Sequence, residues 1–234
     1  MNVAILLSGG IGSRLGASIP KQYIKVNDKM ILTYALETLI GHPRIDGVLI
    51  VADKMWREEI LTEMSNVKID LKKFMGFALS GETRQFSILN ALLELENKKD
   101  LSIRNVLIHD AARPNLSAKM ITTCLKTLEM HEGVMPVLPM KDTIYESVDG
   151  CAVTNLLDRS RLFAGQAPEA FRFDLYYDAN KNLLPDRLYR VNGSTEPAIL
   201  AGMDIVMIAG DEDNYKITTP ADLKKFERQI FRYE

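Results

Sequence analysis

Five short apolar runs rich in β-branched residues recur along this chain: Val3 to Leu7, Val48 to Val51, Val106 to Ile108, Val134 to Leu138 and Ile205 to Ile208. Runs of strand length that are apolar at every position suit a sheet buried on both faces, and segments of helical period lie between most of them. The alternation predicts an α/β fold, a mostly parallel sheet with helices on both faces. Helices are expected at Leu32 to Ile40, Lys54 to Met64, Arg84 to Leu95, Ser117 to Met130 and Pro220 to Arg232. Pro220 suits the first turn of the last, after Thr218 or Thr219 as cap.

The chain has 234 residues, of which 47% are hydrophobic, ample for one core and too few for two full-sized domains. Residues 1–234 are therefore expected to form a single domain. The formal net charge of -2 offers no basic excess for nucleic acid or an anionic membrane. No charged leader precedes Val3 to Leu7 and no apolar run reaches the length of a membrane span, so a cytoplasmic location is expected. Cys124 and Cys151 stand apart without metal-ligand spacing and read as packing residues, with no structural zinc.

One stretch breaks the rhythm. From Asp142 to about Leu162 short polar and apolar alternations surround Asp149-Gly150, a strong turn pair. This reads as a projecting β-hairpin arm. It is too short to bury its own apolar face and is expected to pack on a second subunit, giving a homodimer.

After the first strand comes Ser8-Gly9-Gly10-Ile11-Gly12-Ser13-Arg14-Leu15-Gly16, then Pro20-Lys21-Gln22-Tyr23. Glycines there let backbone N–H groups approach a polyphosphate closely. The dinucleotide fingerprint requires glycine three residues after Gly12, where Leu15 stands, and the P-loop lysine is absent too. What remains is Arg14 and Lys21, two fixed cations that either flank a triphosphate or sit solvated on the surface. Flanking cations stabilise charge that builds on phosphorus and on departing pyrophosphate.

Taken in order, Gly10 to Arg14, Pro20 to Tyr23, Gly81-Glu82-Thr83-Arg84 with Ser87, His109-Asp110-Ala111-Ala112-Arg113-Pro114, Asp142-Thr143-Ile144 and Asn214 to Pro220 resemble the motifs of one family. It is the family of 2-C-methyl-D-erythritol 4-phosphate and ribitol-5-phosphate cytidylyltransferases, and the resemblance runs from residue 2 to about 225. It implies a Rossmann-like nucleotidyltransferase fold, a homodimer clasped through the arms, and magnesium-dependent attack of a polyol phosphate on the α-phosphorus of CTP. Arg14, Lys21 and Lys216 would be catalytic. Ser8, Gly9, Gly10, Gly12, Gly81, Glu82, Ser87 and Ala111 would bind CTP, and Arg113, Thr143 and Arg159 the acceptor, with Arg113 or Arg159 reaching in from a partner subunit.

Asp110 falls at a strand's carboxyl end, where open α/β sheets bind ligands, and would hold Mg2+ against the phosphates. His109 reads as a half-buried histidine satisfied by backbone. For Arg159 the plainer alternative is a salt bridge with Asp158 or another arm carboxylate. Gln166-Ala167-Pro168-Glu169 stands where the family usually has Gln-Thr-Pro-Gln, and Asn192 to Pro197 replaces an acidic Thr-Asp segment, which leaves the acceptor open. Methylerythritol 4-phosphate is the first reading and ribitol 5-phosphate, or another alditol or sugar phosphate used in cell-surface polymer synthesis, the second. A nicotinamide-dependent dehydrogenase and a non-catalytic nucleotide-binding protein are the remaining alternatives; the missing third glycine speaks against the dehydrogenase.

Overall fold

The structure is a computed structural model that describes residues 1–10, 19–98 and 100–231. Its strands are β1 (Asn2–Leu7), β2 (Lys25–Val26), β3 (Lys29–Met30), β4 (Gly47–Val51), β5 (Phe74–Ala78), β6 (Asn105–Asp110), β7 (Gly133–Pro139), β8 (Ile144–Glu146), β9 (Asn155–Leu157), β10 (Phe163–Gly165), β11 (Glu169–Arg172) and β12 (Ile205–Ala209). The α-helices are α1 (Ile31–Gly41), α2 (Lys54–Asn66), α3 (Arg84–Glu96), α4 (Ala118–Thr127), α5 (Phe173–Lys181), α6 (Glu196–Leu200) and α7 (Pro220–Ile230).

The main sheet has the order β10-β7-β11-β6-β1-β4-β5, with β12 also paired to β7. Strands β5, β4, β1 and β6 run parallel, and β11 is antiparallel to both β6 and β7. Val134 faces Ala170 on one side and Val206 on the other, so β12 takes the edge of β7 opposite β11.

Side chains alternate across the sheet, and each set has its own helical cover. Ala4, Leu6, Val48 and Ile50 pack with Leu36 and Leu39 of α1, Ile60 of α2 and Ile121 of α4. Val3, Ile5, Leu49 and Val51 pack with Ile88 and Leu92 of α3 and Tyr176 of α5. Leu36, Ile50 and Leu92 are fully buried, each contributing about 1.5–3 kcal/mol of apolar transfer. The expected α/β architecture with helices on both faces is the one observed.

The five expected strands and five expected helices all form, with ends displaced by a few residues. Thr219, one of the two proposed caps, closes a capping box with Asp222 around Pro220. Strands β5 and β11 and helices α5 and α6 lay outside the expectation. The β5 sequence is broken by Gly76 at positive φ and only Ala78 is fully buried, so it lacks a continuous apolar run.

The hairpin forms within the expected stretch, with β8 and β9 pairing over three residues each, and just beyond it Phe163 to Gly165 joins β7. At its tip one Asp149 carboxylate oxygen accepts from the N–H groups of Cys151 and Ala152 and from the Ser147 hydroxyl, while Gly150 takes positive φ. Cys124 is buried as expected, its thiol pushed up to about 12 chiefly by burial. Cys151 is instead exposed, because the arm has no interior of its own to receive it.

Candidate active site

The carboxyl ends of β1, β4, β5 and β6 open into a cleft of about 600 Å³. Gly9 and Gly10 form one wall, Gly81, Glu82 and Ser87 another, and Lys21, Lys216 and Asp110 also reach it. Positions as distant in sequence as Gly9 and Lys216 are gathered because parallel strands end on the same side.

The glycines are there for close approach. A Cβ on Gly9 would lie 2.4 Å from the Ser80 Cβ, and one on Gly81 would lie 2.4 Å from the Phe86 Cβ and 2.9 Å from the Ser87 nitrogen. Gln22 pins the loop from below, its amide donating to the carbonyls of Ser8 (2.6 Å) and Gly10 (2.8 Å). The N–H of Gly81 donates to Ser87 Oγ at 2.9 Å, which folds the start of α3 against this wall. Thr83 caps α3 by accepting from the Phe86 N–H, so Arg84 is its first residue.

Asp110 is the electrostatic centre. It is 8% exposed and meets three cations: Arg84 Nη2 at 2.9 Å on Oδ1, Lys216 Nζ at 3.0 Å and Arg113 Nε at 3.5 Å on Oδ2. Burial alone would raise its pKa, but Arg84, Lys216 and Arg113 together outweigh it and hold the carboxyl well below the usual carboxylate range. Arg113 is anchored by donating from Nη1 to the Asn214 carbonyl at 2.7 Å. Asn214 in turn donates to the Ala167 carbonyl, fixing the turn that carries Lys216.

His109 is fully buried rather than half-buried, since β6 lies in the middle of the sheet. Its Nε2 meets the Arg113 carbonyl at 2.9 Å, which meets half of the expected backbone satisfaction, while its Nδ1 is buried without a partner, and burial lowers its pKa to about 4. It is a neutral strut beneath Asp110.

Several expected contacts fall elsewhere. Ser8 is buried, its hydroxyl donating to Tyr23 Oη at 2.9 Å, and it borders a smaller adjoining pocket instead of the main cleft. Ala111 is buried with its N–H on the Leu7 carbonyl, and Arg113 stands behind Asp110 rather than in the cleft wall. Thr143 and Arg159 are exposed at the base of the arm and do not line the cleft of their own chain. Arg159 donates to the Lys141 carbonyl at 2.8 Å, and no arm carboxylate pairs with it among the described residues. Gly12 and Arg14 lie outside the described residues.

Arg84 was visible only as part of a motif, and its pairing with Asp110 gives it a place at the centre. Asp53, the residue directly before α2, also borders the cleft and accepts from the Ser80 hydroxyl. Neither had a signal of its own, because each partner lies more than 20 residues away in sequence.

A glycine-walled cleft at the strand ends of an α/β sheet, with one ionised carboxylate ringed by cations, defines an enzyme that handles nucleoside phosphates, a nucleotidyltransferase. The family model for 2-C-methyl-D-erythritol 4-phosphate cytidylyltransferase matches residues 2–231, and the chain belongs to that family. The enzyme of that name from Thermotoga neapolitana is 34% identical over 96% of this chain and 94% of its own length. A ribitol-5-phosphate cytidylyltransferase from Lacticaseibacillus paracasei is 28% identical over 98% of both. The fold matches that of 4-diphosphocytidyl-2C-methyl-D-erythritol synthase from Anaerococcus prevotii with a TM-score of 0.82 at 23% identity, covering 99% of this chain and 96% of that one.

Proposed function

We propose that the chain transfers CMP from CTP to a small polyol phosphate and releases pyrophosphate, with 2-C-methyl-D-erythritol 4-phosphate as the preferred acceptor. The observation that carries the reading is the ring of Arg84, Arg113 and Lys216 around Asp110 in a cleft walled by Gly9, Gly10 and Gly81. An acceptor phosphate oxygen bonds to the α-phosphorus while the bond from that phosphorus to the bridging oxygen breaks, and pyrophosphate leaves with the electron pair.

Lys21 and Arg14 flank the triphosphate and Lys216 offsets charge as it builds on the transferred phosphoryl group. Gly81, Glu82 and Ser87 face cytosine and ribose, where small residues leave room for a pyrimidine. The acceptor phosphate is already anionic near neutral pH, so no general base is needed. His109, buried and away from the cleft wall, has no proton transfer to perform.

Magnesium would be held by Asp110 together with triphosphate oxygens. The donor set fits in kind, since this ion commonly takes one or two carboxylates and completes its shell with phosphate and water, but it would share Asp110 with Arg84 on Oδ1 and with Lys216 and Arg113 on Oδ2. No group of three or more His, Cys, Asp or Glu side chains forms an all-protein cage among the described residues. When bound, the ion neutralises phosphate charge.

Tyr145, Val148, Val153 and Leu156 expose apolar surface on the arm, which supports docking of that arm on a second copy. Docking would bring Thr143 and Arg159 to the partner's acceptor site. No helix among the described residues is long and apolar enough to cross a membrane.

Ribitol 5-phosphate is the second reading, favoured by the Lacticaseibacillus paracasei relative. The Glu169 departure does not itself argue for it, because that carboxylate is buried against Ser194 and Thr195 and does not line the cleft. Pyrophosphate release from magnesium and CTP, followed across methylerythritol 4-phosphate, ribitol 5-phosphate and glycerol 3-phosphate, is the test. Turnover with methylerythritol 4-phosphate above all others is expected, and silence across the panel would overturn the reading.

A further inference from the structure

Behind Asp110 lies a second buried carboxylate. Glu169 is paired with Ile108 across β11 and β6, and Asp110 is two residues further along β6. Residues two apart on a strand share a face, so both carboxylates emerge on the side covered by α3, whose first residue is Arg84. Glu169 accepts from the Ser194 hydroxyl at Oε2 and from Thr195 Oγ1 at 3.0 Å on Oε1. Ser194 is held a second time: its carbonyl accepts from Tyr176 Oη at 2.6 Å, and that hydroxyl also accepts from Gln85, the neighbour of Arg84.

The guanidinium therefore sits in the field of two carboxylates. Burial would lower the Arg84 pKa, but Asp110 and Glu169 raise it above its ordinary value; burial in turn raises the Glu169 pKa, and Arg84 with the Ser194 and Thr195 hydroxyls opposes that rise. Arg84 Nη1 is buried without a hydrogen-bond partner, so one end of the fork is held by charge and packing and not by a direct bond. The side chain as a whole is 35% exposed at the cleft, and a guanidinium with one nitrogen bonded and another buried without a partner is held in one orientation by compensating charge nearby.

We propose that Glu169 is a positioning residue, a buried counter-charge that orients Arg84 on Asp110 and ties the segment around Ser194 and Thr195 to the same sheet. The proposal rests on the cytidylyltransferase reading for its effect on turnover. What the site requires is one negative charge shared between position 169 and the hydroxyls facing it, from whichever side it comes.

Relocating the charge tests this. Glu169→Gln keeps the shape and removes the charge, and should lower kcat for pyrophosphate release about tenfold, with the CTP KM within about twofold, as loss of a charged hydrogen-bond acceptor implies. In Glu169→Gln/Thr195→Asp the new amide can donate to the new carboxylate, and most of the lost kcat should return. Wild-type kcat in the single variant, or a folded double variant no better than the single one, would overturn the proposal, since a packing role predicts a further loss on the second substitution. The side-chain ¹⁵N–¹H resonance of Arg84 gives a readout independent of turnover. It should shift in Glu169→Gln and move back in the double variant; an unmoved resonance would overturn the proposal even if the wild type proved inactive with every acceptor.

Discussion

The cleft and the arm solve the problem of stability in opposite ways. Around Asp110 the cationic partners are supplied within one chain, from α3, from the turn after β6 and from the turn before α7. On the arm the polar tip is self-sufficient, with Asp149 bonding its own turn, whereas Val148 and Tyr145 stand 90% and 59% exposed. Charge is balanced within one chain in the first region, even though Arg84 Nη1, Arg113 Nε and His109 Nδ1 are buried without hydrogen-bond partners; apolar groups are left uncovered in the second. The contrast teaches that the charge cluster is assembled from residues of one protomer, whereas the arm exposes apolar surface of the kind an interface would cover.

The sharpest way to break the first half of that contrast is Asp110→Ala. It leaves Arg84, Arg113 and Lys216 facing one another, and kcat/KM should fall about 10³-fold, or roughly 4 kcal/mol. Near-normal steady-state turnover would remove Asp110 from the centre of the site.

The same region should carry the protein's acid sensitivity. In the unfolded chain His109 takes up a proton near 6.5, whereas in the fold it does so only at about 4. Below pH 6.5 the unfolded state thus binds the extra proton, and stability is lost as pH falls through that window, by about 3 kcal/mol at pH 4. Asp110, held low, adds its own loss only below its ordinary value of 3.8. Urea unfolding at pH 7 and pH 4.5 measures the slope, which His109→Gln should flatten.

Gly81→Ala probes the nucleotide wall. Its Cβ would press on the backbone of Phe86 and Ser87, so something must shift, at a cost of about 2 kcal/mol. A rise in the CTP KM with little change in the acceptor KM is the expected kinetic signature.

The smallest effect bears on the arm. Val153→Asp should weaken self-association by about 1 kcal/mol, seen by sedimentation velocity as more monomer at low concentration, without changing the shape of the unfolding curve. An unchanged association state would detach the arm from assembly. Loss of acceptor turnover along with the dimer, with CTP binding intact, would sharpen the comparison by showing that Arg159 and Thr143 serve the partner's cleft.

How much of this was legible beforehand differed by element. Strands β1, β4, β6 and β7 announced themselves because central strands are apolar at nearly every position, and β12, paired to β7 alone, through its own apolar run Ile205 to Ile208. Strand β11, four residues after Pro168 with a charged residue at each end, and β5, interrupted by Gly76, carry no such run. The glycine walls and Asp110 could be placed from their motifs and from the rule that ligands bind at strand ends. Arg84 could not be ranked above its motif neighbours, nor Ser8 and Ala111 recognised as buried supports. The arm's hairpin was read from Asp149-Gly150, but its short pairing and the return of the chain to the main sheet at Phe163 to Gly165 were not.

The sequence by itself determined the layer architecture, the glycine-lined turn and the family, because hydrophobic period, backbone permissiveness and linear motifs are local properties of the chain. Only the tertiary structure decided which charges meet. Arg84 and Lys216 lie 26 and 106 residues from Asp110, and Glu169 finds Ser194 and Thr195 across 25 and 26 residues. Such pairings are set by strand order and register, and Coulomb energy depends on distance in space, which no spacing along the chain records.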